Sequence, residues 1–171
     1  MAVFTKVNKA ELQGWMQGLA CGELVALEEI SSGIENTNYF VTTTKARYVL
    51  TLFEKLTASD LPFYLGLMQH LACKGLPVPG PVAFADGSLF KLLENKPATL
   101  VNCLQGQSVA EPTPQQCRQI GSFAARAHLA VRDFAGTVPN PRNLGWITEA
   151  THELRPHLPA KELALLTQEV A

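Results

Sequence analysis

The sequence predicts an α+β fold: an antiparallel sheet with one packed helix, followed by a run of helices. Three observations carry this. Strand-like runs crowd into residues 24–53, a helical stripe fills 60–74, and after a second group of strands ending at Leu104 the pattern becomes helical. At 171 residues the chain has room for one domain or two small lobes.

Taken in order, residues 8–20 are expected to form the first helix. Asn8 is a capping residue, Glu11 stands three positions on, and Leu12, Trp15, Met16 and Leu19 share a face before Gly22 breaks the pattern. Leu24 to Ile30 alternates as a strand, 31–38 is a polar loop, 39–44 is a second strand, and 47–53 is a third after Lys45-Ala46. A second helix is expected over 60–74, with Leu61, Tyr64, Leu65, Met68, Leu71 and Ala72 on one face and Gly75 and Pro77 ending it. Val78-Pro79-Gly80-Pro81 reads as a rigid connector. Short strands at 82–85 and 88–93 flank Asp86-Gly87, a hairpin signal, and 97–104 is a strongly apolar strand. Polar residues 105–112, with Gly106, read as a linker. Thr113 can cap the next helix, Pro114 suits its first turn, and Gln116 completes a capping box. Cys117, Ile120, Ala124, Ala127 and Val131 then share a face as far as Arg132. Residues 133–146 read as loop and 161–170 as a last amphipathic helix.

Hydrophobic residues make up 47% of the chain and charged residues 17%, which fits a folded globular protein. A net charge of −1 gives no electrostatic footprint for nucleic acid or an anionic membrane. No apolar run is long enough to span a bilayer, and the first residues lack a signal-peptide core. Cys21, Cys73, Cys103 and Cys117 are scattered without a CxxC pair, so buried free thiols are expected rather than a zinc site or disulfides. A cytoplasmic protein without nucleic-acid or membrane partners follows as the expectation; the sequence does not fix its oligomeric state.

The loop 31–38 is the chemically suggestive segment. A polar glycine-containing loop between paired strands can lay backbone N–H groups against a nucleotide's phosphates, and it can equally be the hairpin loop of an ordinary β-meander. His128 reads as a packed helix histidine, the Trp15 and Met16 stripe as core, Glu28 and Glu29 as a solvated strand edge, and Asn140-Pro141-Arg142-Asn143 as a capped turn.

The strand order with a hinge has the layout of a protein-kinase N-lobe. Gly33-Ile34-Glu35-Asn36-Thr37-Asn38-Tyr39-Phe40 resembles the G-x-x-N-x-x-Y/F loop of the aminoglycoside phosphotransferase and choline kinase-like superfamily. Gly75-Leu76-Pro77-Val78-Pro79 resembles that superfamily's connector, and the stretch from Ile120 to His128 its first C-lobe helix. Ile34 to Phe40, Tyr48 to Thr57 and Leu61 to Met68 are similar, nearly word for word, to the bacterial homoserine kinase family within it.

The resemblance implies an N-lobe over 1–104, a hinge over 105–112, and the start of a truncated helical C-lobe over 113–171. It implies ATP and Mg²⁺ as cofactors and phosphoryl transfer to the side-chain hydroxyl of homoserine, giving O-phosphohomoserine for threonine biosynthesis. The alternatives are a phosphotransferase for another small hydroxyl substrate, such as choline or an aminoglycoside, and a non-catalytic binding module. Implied nucleotide-binding residues are Ser32, Gly33, Glu35, Asn36, Asn38 and Thr51, with Val101, Asn102 and Cys103 offering backbone groups to adenine at the hinge.

Two departures from the family pattern stand out. Thr51 occupies the strand position usually basic, and Tyr64 the helix position usually acidic; loss of both together strands no charge. Lys55 or Arg47 could face phosphate instead, or lie solvated at the surface. The H-x-D-x-x-x-x-N loop and the following metal-binding Asp are not found: His128 and Asp133 have the wrong spacing, and neither His152 nor His157 is followed by the required Asp. No catalytic or metal-binding residue is therefore expected in this chain, which reads as the N-terminal part of a kinase and as inactive by itself.

Overall fold

The structure is a computed structural model and describes residues 3–170. It falls into two compact units, Met1–Gly136 and Thr137–Ala171. The first holds α1 (Lys9–Trp15), β1 (Leu24–Glu29), β2 (Thr37–Thr43), β3 (Arg47–Leu52), α2 (Leu61–Cys73), β4 (Lys91–Leu93), β5 (Lys96–Asn102) and α3 (Pro114–Ala130). The strands form one antiparallel sheet in the order β1-β2-β3-β5-β4. The α+β class expected from the sequence, helices following strands, is what the chain adopts.

One face of the sheet carries the core. Tyr39, Val41, Tyr48, Leu50, Leu52, Ala98 and Leu100 alternate inward and meet Val7, Leu12 and Met16 from the N-terminal segment and α1. That segment is pinned by a buried polar clasp. The Thr37 hydroxyl accepts from the amides of Phe4 (2.9 Å) and Thr5 (3.1 Å) and donates to Glu54 Oε1 at 2.7 Å. Thr5 Oγ1 donates to the same carboxylate oxygen at 2.8 Å, and Lys96 Nζ lies 3.1 Å from the other. Burial pushes the Glu54 carboxyl up, but the hydrogen bonds from Thr37, Thr5 and Lys96 outweigh it and hold it below its ordinary value.

The Asn8 capping box forms as expected, with Glu11 N donating to Asn8 Oδ1 at 2.9 Å. The helix nevertheless stops at Trp15 instead of Ala20. Leu19 is drawn into a bridge with Phe84, and Ala85 N donates to Gly18 O at 2.8 Å, so tertiary pairing overrides the helical stripe. The expected hairpin at Asp86-Gly87 also moves. A turn forms there, but its flanks do not pair as strands. The hairpin joins β4 to β5 through Glu94 (φ 51°) and Asn95 (φ 58°), the two positive-φ positions of a type I′ turn.

Helix α2 carries Leu61 and Leu65 inward. Its last turn is held to the end of α3: His70 Nε2 lies 2.8 Å from Ala130 O and 3.2 Å from Asp133 Oδ1, Lys74 pairs with Asp133, and Phe134 packs on His70 and Phe63. The capping box of Thr113 and Gln116 is present on α3, but the expected apolar face is largely uncovered: Cys117, Ile120 (68%) and Ala124 are exposed, while Ala127 and Val131 are half-buried. His128 is exposed, not packed. Of the cysteines only Cys21 is buried; Cys73 and Cys117 are exposed.

The second unit contains α4 (Leu144–Leu154) and α5 (Ala160–Val170). Part of α4 lies in the expected loop 133–146. Asn143 caps it, its side chain accepting from Trp146 N at 3.1 Å. Thr148 and Thr151 weaken its helical signal, yet their hydroxyls bond the carbonyls four residues back. Asn140 makes the capped turn expected at 140–143, accepting from Arg142 N.

Candidate nucleotide-binding site

The second face of the sheet is half-open, and strand alternation dictates what it shows. Register places Asn38 beside Thr51 and Thr51 beside Thr99; two residues along, Phe40 beside Val49 and Val49 beside Val101; two further, Thr42 beside Arg47. These rows stand about 7 Å apart, so the sequence from polar to apolar to cationic runs over about 13 Å. Thr51 Oγ1 donates to Asn38 Oδ1 at 2.7 Å, and Asn38 Nδ2 donates to Asn36 O at 3.3 Å. The position usually basic is thus a neutral hydroxyl satisfied by its neighbour. Tyr64 sits on α2 with its ring against Phe63, so no acidic group is left without a cation.

The loop 31–36 leaves the sheet at the Asn38–Thr51 end. Ser32, Gly33 and Glu35 are exposed, and Asn36 is half-buried. Among the described residues, no amide of 31–36 donates a hydrogen bond; the ladder resumes only outside it, where Ile30 N donates to Asn38 O at 3.0 Å. Gly33 has φ 143°, a conformation that side chains with a Cβ rarely adopt. A run of unpaired N–H groups in an exposed glycine loop is an anion-accepting surface. Lys55 Nζ lies 3.5 Å from Glu35 Oε1 at this end of the sheet.

At the opposite end, Val101 is buried at 7% exposure, Asn102 is exposed and Cys103 is half-buried. The amides of Asn102 and Cys103 are already engaged, donating to Gly80 O (3.0 Å) and Arg47 O (3.3 Å). Backbone donors for a bound ring therefore begin after them, at Leu104 to Gly106, which make no such bond among the described residues. Arg47 lies with its guanidinium 3.8 Å from the centre of the Phe40 ring and pairs with Glu28 at 3.2 Å. It is at the hinge end, away from the loop.

The structure thus brings Ser32, Gly33, Glu35, Asn36, Asn38 and Thr51 together at one end of the open face, with Val101 in its middle row and Asn102 and Cys103 toward the other end. Phe40 and Val49, which share that middle row with Val101, were not singled out from the sequence. Stepping two residues along each strand from Asn38 and Thr51 would have found both. Among the described residues, no three His, Cys, Asp or Glu side chains gather as a metal site. The free amides fit a phosphate group.

A loop of unpaired amides beside an antiparallel sheet, with helices following, fits a phosphotransferase-like fold. The profile of the phosphotransferase enzyme family matches residues 26–171, and the chain belongs to that family. It is 50% identical over 171 residues to a homoserine kinase of Paraburkholderia phymatum and 48% identical to one of Burkholderia ambifaria, covering 100% of this chain and 53% and 52% of theirs. The chain spans about half the length of the curated relatives it matches. Among solved structures, amicoumacin kinase in complex with AMP-PNP and Ca²⁺ superposes with a TM-score of 0.66 at 17% identity, covering 94% of this chain and 51% of that one. A spectinomycin phosphotransferase in complex with ADP and spectinomycin gives 0.64 at 13% identity, covering 88% and 47%. The protein-kinase-like fold read from the strand order is shared with these phosphotransferases. No helix among the described residues is long and apolar enough to cross a membrane.

Proposed function

We propose that the protein is an ATP-dependent kinase of the side-chain hydroxyl of homoserine, releasing ADP and O-phosphohomoserine. The observation that carries this is the identity with homoserine kinases along the whole chain, with the unpaired loop amides at 31–36 as the physical support. In this reading residues 1–104 bind the nucleotide, 105–112 act as the hinge and 113–171 begin a helical lobe. The loop from Ser32 to Asn36 receives the phosphates, Asn38 and Thr51 shape its floor, and Val49 and Phe40 with the Val101–Cys103 strand end bound the adenine. The acceptor-orienting carboxylate and the Mg²⁺ ligands belong to the half of the relatives' length that this chain does not match, and the enzyme works in the cytoplasm.

The test is coupled ADP release by the full-length protein, with homoserine, choline and an aminoglycoside offered separately, and the product followed by phosphorus NMR. Homoserine-dependent ADP release with a new phosphomonoester resonance is expected. Release with choline or an aminoglycoside but not homoserine would move the substrate to the alternative. ATP binding without release for any acceptor would support the binding-module reading.

A further inference from the structure

The open face raises a charge question that its strands do not answer. Phosphates at the loop 31–36 need a cation, and Thr51 is neutral. Of the other cations around the sheet, Lys9 and Lys45 bond the Val25 and Ala20 carbonyls and Lys91 pairs with Asp86, which leaves Arg47, Lys96 and Lys55 to weigh. Arg47 is stacked on Phe40 and paired with Glu28, about 13 Å along the strand from Thr51. Lys96 is held by Glu54, in the clasp that binds the N-terminal segment. Lys55 remains. Phe53 N donates to Pro97 O at 2.9 Å and Glu54 is locked by Thr5 and Thr37, so the chain is fixed up to the residue before Lys55. Its side chain is 73% exposed, and among the described residues it is the cation that pairs with a residue of the loop, Glu35.

We infer that Lys55 is the phosphate-contacting cation of this site, and that Glu35 holds it against the loop until the nucleotide's terminal phosphates displace the carboxylate. The assignment rests on the nucleotide-kinase reading above. An exposed carboxylate is a weak partner, because solvent screens the pair. A phosphate already gripped by backbone amides is a stronger one, since charge-assisted bonds add to the amide contacts. The exchange neutralises the incoming charge and leaves Glu35 free to turn to water. Glu35 and Lys55 therefore act in opposition: one lends affinity and the other competes for it.

Calorimetric titration of the full-length protein with ATP and with AMP tests this. Lys55→Gln is expected to weaken ATP about tenfold and leave AMP unchanged, with Lys55→Arg recovering most of the loss. Glu35→Gln is expected to tighten ATP about twofold, and to do nothing once Lys55→Gln is present. Thermal melts should not move, because both side chains are exposed. If Lys55→Gln leaves ATP affinity unchanged, or weakens AMP equally, the assignment is overturned while the nucleotide reading stands. If Glu35→Gln still tightens ATP without Lys55, the two do not compete and the assignment also fails. An unsubstituted protein that binds no ATP overturns the nucleotide reading and this assignment with it.

Discussion

Thr37→Val isolates the clasp that ties the N-terminal segment to the sheet. The substitution keeps the side chain's shape at a position with no exposed surface and removes a hydroxyl with three partners. The bond to the Glu54 carboxylate is the largest loss, about 1.5–3 kcal/mol for a hydrogen bond to a charged group. The Phe4 and Thr5 amides lose their acceptor too, but Phe4 is 57% exposed, so water recovers part of that loss. The sum is about 3 kcal/mol. At 2–4 °C per kcal/mol for a chain of this size, the sheet-containing transition should fall by roughly 6–12 °C. Scanning calorimetry at pH 7 measures it, beside Thr37→Ser, which retains the hydroxyl and should lose only about 1 kcal/mol for its methyl group. If Thr37→Val melts within 2 °C of the parent, the clasp contributes no net stability. The segment would then be held by the Tyr39 hydroxyl, which accepts from Val7 N and donates to Thr5 O.

Two more outcomes follow from the same geometry. Gly33→Val forces a Cβ into φ 143° and should weaken ATP binding by roughly tenfold or more, a strain of about 1–3 kcal/mol, with the melt little changed because the loop is exposed; unchanged affinity by calorimetry would remove the loop from the phosphate site. Glu54 has its carboxyl held below the ordinary value, so the stability it lends is present above the unfolded-state value of about 4.3 and is lost as pH falls through the folded one. Glu54→Gln should therefore flatten the fall in stability between about pH 5 and pH 3, and an unaltered acid slope in urea titrations would exclude Glu54 as its source.

Much of this architecture was legible before any coordinates, and the reasons are local. Capping boxes at Asn8 and Thr113 act within four residues, and both formed. The strands around the loop alternate clearly because one face is buried. What could not be read depended on distant partners. Helix α1 ends early because Phe84 and Ala85 compete for Leu19 and Gly18, and the hairpin moves because Glu94 and Asn95 accept positive φ where Asp86-Gly87 looked the better turn. At the candidate site, loop and strand residues could be named from the resemblance. The commitment of the Asn102 and Cys103 amides to Gly80 and Arg47 could not, since it depends on a connector twenty residues upstream folding back along β5.

The sheet's two margins have a consequence for how copies of this chain can stick together. The β1 margin has a register shift between Leu24 and Ala26, two exposed glutamates, and Lys9 Nζ capping the Val25 carbonyl at 3.2 Å. On the other margin β4 is only three residues long, and residues 80–82 cover the far end of β5. Neither margin offers a straight, unoccupied row of backbone groups on which a second strand could grow. Exposed apolar side chains of the first unit include Ile120 and Leu129 on α3 and Val25 and Leu92 at the margins, and side-chain contacts of this kind need no continuous hydrogen-bond ladder. Association of crowded copies is therefore expected to be reversible on dilution and not fibrillar, which light scattering before and after dilution checks.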